Sequence, residues 1–145
     1  MAKIVAVCRS DDKGVVKHPV PEGVFEDGGL RGDAHADPGT HRQVSLLAVE
    51  SIDKMRALGL DLKYGDFAEN LTTEGIDLLA LALGTRIRVG DDLILEITQH
   101  GKECHSGCAI MKQVGKCIMP TEGIFGKVIT PGVVRPSDVI TVLDK

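Results

Sequence analysis

The stretch Thr85-Arg86-Ile87-Arg88-Val89-Gly90-Asp91-Asp92-Leu93-Ile94-Leu95-Glu96-Ile97-Thr98-Gln99 decides the fold class. Arg86 to Val89 alternates charged and apolar residues, as a strand with one wet face does. Gly90-Asp91-Asp92 supplies turn chemistry, and Leu93 to Gln99 alternates again. Two alternating runs joined by a short polar turn read as an antiparallel hairpin. Working outward, Lys3 to Cys8 (KIVAVC) reads as a buried strand, ended by the polar run Arg9-Ser10-Asp11-Asp12. Val15-Val16-Lys17 reads as a second short strand before Pro19 and Pro21. Gly28-Gly29, Gly32 and Gly39 punctuate a loop-rich stretch. Ile124 to Ile129 and Val139 to Leu143 read as strands, with Thr130-Pro131-Gly132 as a turn. Leu46 to Leu58 reads as the clearest helix, with Ser45 as N-cap, Leu46, Val49, Ile52 and Met55 in helical period, and Gly59 at its end. Asp66 to Thr73 reads as an extended polar segment, while Ile76 to Leu83 and Ala109 to Val114 read as short helices or turns. The expected class is mainly β with α insertions (α+β): a small mixed β-barrel occupying residues 1–145 as one domain.

Composition narrows the function. Hydrophobic residues make up 43% of the chain and the mean hydropathy is +0.06, values typical of a globular protein. Aromatics are few (Phe25, Tyr64, Phe67 and Phe125), so the core must be built from Val, Ile and Leu. The net charge of -4 argues against non-specific binding of nucleic acid, which needs a basic footprint. Met1-Ala2-Lys3 leads into an apolar run that stops at Arg9, so no secretion signal is expected. No apolar stretch approaches a membrane span. The expected location is the cytoplasm, where cysteines stay reduced and act as metal ligands or reactive thiols more readily than as disulfides.

The densest chemistry lies in His100-Gly101-Lys102-Glu103-Cys104-His105-Ser106-Gly107-Cys108, followed by Cys117. Three of the four cysteines and two of the five histidines fall there. Lys102 and His105 flank Cys104, and cationic neighbours lower a thiol pKa toward the nucleophilic, metal-binding thiolate. Cys104 and Cys108, completed by His105 or Cys117, form an alternative zinc half-site, although the usual second pair is absent. Buried packing is the ordinary role of a lone cysteine.

Two further runs are polar and turn-like. Gly32-Asp33-Ala34-His35-Ala36 precedes His41-Arg42-Gln43. Asp33 could accept two hydrogen bonds from an amino-heterocycle and Arg42 could pair with a phosphate; as an ordinary loop, Asp33 would cap a turn. Phe67-Ala68-Glu69-Asn70-Leu71-Thr72-Thr73 is the other run, and alone it reads as a turn with Asn70 left-handed. GxGxxG, Walker, GxSxG and HExxH sequences are all absent, which removes the common nucleotide and hydrolase assignments.

Together these runs resemble the MOSC domain, named for the C-terminal domain of molybdenum cofactor sulfurases. The resemblance extends through His41 to Leu47, Gly84 to Gly90, Gly101-Lys102-x-Cys104-His105 and Gly123 to Ile129, and is closest to short, stand-alone bacterial members. It implies a β-barrel and a cysteine, here Cys104, that handles sulfur or ligates molybdenum. Catalytic roles would fall to Cys104, Lys102 and His105. The cofactor, molybdopterin, would be held by Asp33, His35, His41, Arg42, Glu69 and Asn70, with Asp33, Arg42, Glu69 and Asn70 meeting in one pocket with the Cys104 segment. The expected function is binding of molybdenum cofactor and sulfur transfer. Persulfide would come from a separate cysteine desulfurase and pass to the cofactor, a molybdoenzyme or a cofactor-biosynthesis protein. Pyridoxal phosphate is not expected in this chain. The alternatives are a molybdenum-cofactor oxidoreductase reducing N-hydroxylated compounds and a non-catalytic thiol or zinc module. The chain departs from the family at Glu103, at Asp37 and at Pro136-Ser137-Asp138, which replaces a Gly-Asp turn.

Overall fold

A computed structural model describes residues 2–10, 17–33, 39, 43–57, 59, 61–67, 69–100 and 123–143. In chain order the strands are β1 (Lys3–Arg9), β2 (His18–Val20), β3 (Gly23–Glu26), β4 (Gly29–Leu30), β5 (Val44–Ala48), β6 (Leu71–Glu74), β7 (Arg86–Val89), β8 (Leu93–His100), β9 (Ile124–Thr130), β10 (Gly132–Val134) and β11 (Ile140–Leu143). One α-helix, α1 (Val49–Arg56), and a single 3-10 turn at Leu78–Ala80 complete the described elements. The architecture is α+β and mainly strand. Among the described residues no helix is long and apolar enough to cross a membrane.

The hairpin forms as its alternation dictates. Ile87 and Val89 are buried while Arg86 and Arg88 face water, and Val89 pairs with Leu93 across the turn. Leu93, Leu95 and Ile97 continue the buried face along β8. From this seed the eight-stranded sheet runs in the order β11-β7-β8-β9-β5-β6-β1-β2. One row of paired residues crosses five strands: Val7, Leu71, Leu46, Ile124 and His100. The first four of these are fully buried and anchor the aliphatic core. Among the described residues the ladder does not close as a continuous barrel. A single bridge, Lys3 to Val139, joins β1 to the approach to β11, reinforced by Ile4 N–H to Asp138 O at 2.8 Å and Ile140 N–H to Ala2 O at 2.9 Å.

Two readings are corrected here. The helix expected from Leu46 begins only at Val49, with Ala48 rather than Ser45 as its N-cap. Val44–Ala48 is a strand buried on both faces, because it lies between β9 and β6 inside the sheet. Its partner β6 runs parallel to it, and a parallel pair needs a crossover, which α1 supplies. The Gly28-Gly29 stretch is also more ordered than a loop: β3 and β4 form a hairpin in which Phe25 pairs with Leu30 and Gly28 takes the positive φ of 100°. The strand expected at Val15-Val16-Lys17 lies mostly outside the described residues; the second described strand, His18–Val20, carries Pro19. It lies at the sheet edge, where the missing N–H is tolerated. The expected helix at Ala109 to Val114 falls outside the described residues.

Candidate functional site

The ends of β1, β5 and β6 converge on a buried polar knot. β1 and β6 are antiparallel, so the end of β1 meets the start of β6. There Cys8 N–H donates to Asn70 O at 2.7 Å, and Asn70 Nδ2 returns a bond to Cys8 O at 3.1 Å. On its other side Asn70 Oδ1 accepts from Ser45 N–H at 3.0 Å and Ser45 Oγ at 3.2 Å. Asn70 therefore ties three strands at one level by satisfying backbone groups that a strand start leaves open. Its backbone is not left-handed; among the described non-glycine residues only Ser137 has positive φ.

Glu69, one residue earlier, is fully buried. Its Oε2 accepts from Gly65 N–H at 3.0 Å and Thr72 Oγ1 at 3.2 Å, and its Oε1 accepts from Phe67 N–H at 3.2 Å. The carboxylate thus shapes the turn of residues 64–67. That turn seats Lys17, whose N–H donates to Gly65 O at 2.8 Å. A Cβ at Gly65 would overlap the Lys17 carbonyl, and Gly65 has φ 93°, so glycine is required there twice over.

Lys17 closes the knot. Its ammonium meets Asp33 Oδ1 at 2.7 Å, with the two side chains 1% and 0% exposed. The same oxygen accepts from Ser10 N–H at 3.0 Å. Asp33 therefore pairs with a cation as well as closing a turn. Reading the sequence alone misses Lys17. The available signal is a lysine flanked by Val15-Val16 and Pro19 in a strand-like run, because a lysine buried there needs an anion.

Cys8 is sealed among these groups. Burial pushes its thiol well above the usual range, and the nearby Glu69 charge adds to that, outweighing Lys17. A protonated, enclosed thiol is a poor nucleophile.

Asp33 from one motif run and Glu69-Asn70 from another, distant in sequence, thus belong to one network. His35, His41, Arg42, Lys102, Cys104 and His105 lie outside the described residues, as do Cys108 and Cys117. His100 ends β8 with its ring Nε2 against Leu81 O. His100 pairs with Ile124 across β8 and β9. Among the described residues no cluster of His, Cys, Asp or Glu could hold a metal ion. A cleft of about 630 Å³ opens at the opposite end of β5 and β6, between α1 and residues 75–79, lined by Glu50, Ser51, Lys54 and Asp77 among others. It contains none of the motif residues, so the knot rather than the cleft marks the candidate site.

Glu69 and Asn70 direct their polar atoms into the frame, and Asp33 meets Lys17 and Ser10. Through these bonds Glu69 ties the turn 64–67 to β6, and Asn70 ties β1, β5 and β6.

The structure resembles several solved proteins. YuaD of Bacillus subtilis aligns over 100% of this chain and 97% of its own with a TM-score of 0.79 at 20% identity. YiiM of Geobacillus stearothermophilus aligns over 99% of this chain and 76% of its own, with a TM-score of 0.76 at 19% identity. YiiM of Escherichia coli aligns over 100% and 71%, with a TM-score of 0.73 at 20% identity. At such identities the likeness establishes the fold alone. No curated protein matches the chain significantly. The family model of the MOSC domain, by contrast, matches residues 32–141, from the start of the Asp33 run into the last strand. The chain therefore belongs to the MOSC domain family, a family associated with the molybdenum cofactor.

Proposed function

We propose that this protein binds molybdenum cofactor and carries sulfur to it on Cys104. The observation that carries this reading is the knot itself. Three motif residues from two separate parts of the chain meet in it, and Glu69 and Asn70 brace its backbone. A scaffold of buried charges and saturated amides is expensive to build, and it fixes where the neighbouring segments begin. Asp33 leads directly into the segment with His35, His41 and Arg42, which are the proposed contacts for pterin and phosphate. Glu69 and Asn70 brace the described frame.

In the proposed cycle Cys104 attacks the outer sulfur of a persulfide on a separate cysteine desulfurase. A new sulfur–sulfur bond forms on Cys104, the partner's bond breaks, and its thiolate leaves. Lys102 and His105 keep the sulfur anionic. The cofactor is the acceptor substrate, free or presented by a molybdoenzyme or a cofactor-biosynthesis protein. Cys8 takes no part, since its thiol is enclosed and held protonated.

Mass spectrometry and metal analysis of protein purified without air test the assignment. Pterin binding with substoichiometric molybdenum and a sulfane adduct on the 101–122 segment is the expected result. Molybdenum and pterin at one per chain would instead make the protein an oxidoreductase. Zinc without pterin would make it a thiol-based binding module.

A further inference from the structure

We propose that Glu69 is a buried proton-responsive keystone: as a carboxylate it holds the turn 64–67 that seats Lys17, and taking up a proton loosens that turn from β6. The inference concerns the frame and holds whatever ligand the protein takes.

Its basis is the geometry of the carboxylate. Both oxygens face donors: Gly65 N–H and Thr72 Oγ1 on Oε2, and Phe67 N–H on Oε1. A proton added to either oxygen meets one of them. The Thr72 hydroxyl can reverse and accept, but a backbone N–H cannot. Protonation on Oε1 sets an O–H against Phe67 N–H, and protonation on Oε2 weakens the bond from Gly65. Either way the turn loses hold, and Gly65 is the residue that carries the Lys17 backbone.

The opposing force is desolvation. The carboxylate is fully buried and its direct contacts are all neutral donors. Of the nearby titratable groups, Cys8 on β1 interacts with the Glu69 charge, and Asp66 on the turn and Lys17 ahead of β2 act on that same thiol, with Lys17 paired to Asp33. Burial keeps the Cys8 thiol neutral. Burial outweighs the hydrogen bonds and pushes the Glu69 carboxyl up to about 7. The keystone therefore changes state near neutral pH, where an ordinary glutamate would not.

A pH titration of the full chain by amide NMR, from roughly pH 5 to 9 on either side of the transition, tests this. The Gly65, Phe67 and Lys17 amide signals should move together with one midpoint near 7. Glu69→Gln should abolish that shared movement. Thr72→Val removes one donor to the charged form and should raise the midpoint by about one unit. Amides that stay flat, or a midpoint that Thr72→Val leaves in place, would overturn the proposal. Should Glu69→Gln fail to fold, the wild-type and Thr72→Val titrations decide it alone.

Discussion

Two ion pairs in this molecule use the same chemistry under opposite conditions. In the knot, Lys17 and Asp33 meet at 2.7 Å with side chains 1% and 0% exposed. At the β3–β4 hairpin, Arg31 grips Glu26 through two bonds of 3.2 and 2.9 Å, with side chains 64% and 44% exposed. The hairpin pair has the better fork, and Arg31 holds the Glu26 carboxyl below its usual range. Water nevertheless solvates either partner if the other leaves, so the pair adds little. In the knot no water replaces a lost partner. A pair of that kind contributes less to net stability than to uniqueness: the chain must bring Lys17 to Asp33 or bury a bare charge.

The largest effect should therefore come from breaking the buried pair on one side only. Lys17→Met strands the Asp33 carboxylate and should lower stability by about 3–5 kcal/mol in urea unfolding. Adding Asp33→Asn to that variant should restore a large part of the loss, because no charge remains to be buried. A double variant as unstable as the sum of the singles would mean that the two side chains act independently.

The pH dependence of the knot comes next. Glu69 titrates at about 7 in the fold, against 4.5 for the unperturbed group. The folded state keeps its proton between those values while the unfolded chain gives it up. The associated stability is complete below about pH 4.5 and is lost as pH rises through about 7. At roughly 1.4 kcal/mol per unit the swing is about 3 kcal/mol. Glu69→Gln should flatten that limb of the stability curve. Global stability and the hold on the turn 64–67 thus run in opposite directions with pH, which separates this effect from general unfolding.

The smallest effect should be at the hairpin. Arg31→Ala should leave the thermal midpoint within experimental scatter, at low and at moderate salt alike. A drop comparable to that of Lys17→Met would erase the contrast between the two pairs.

Much of the fold was legible. Alternation gave the β7–β8 hairpin, because a strand with one wet face writes its burial into every second residue. The stretch from Leu46 reads as helix because a strand buried on both faces carries no alternation, and its apolar run continues into Val49 at the start of α1. The site was legible only as motifs. Nothing in Gly32-Asp33 or Glu69-Asn70 distinguishes a residue that contacts a ligand from one that braces the frame, since both roles call for a polar side chain in a turn. Lys17 stayed hidden because its partner lies elsewhere in the chain and ion pairing leaves no local pattern. The departure at Pro136-Ser137-Asp138 shows the reverse case. Ser137 takes φ 80°, a conformation that favours glycine, so the serine bears the strain of that turn.

The central claim is that Cys104, with Cys8 locked away in the frame, carries the sulfur. Intact-mass spectrometry after incubation with a cysteine desulfurase, cysteine and pyridoxal phosphate tests it most directly. The wild-type chain and Cys8→Ala should both gain the mass of one sulfur, and Cys104→Ala should gain none. Full loading of Cys104→Ala, or loss of loading in a folded Cys8→Ala, would contradict the account.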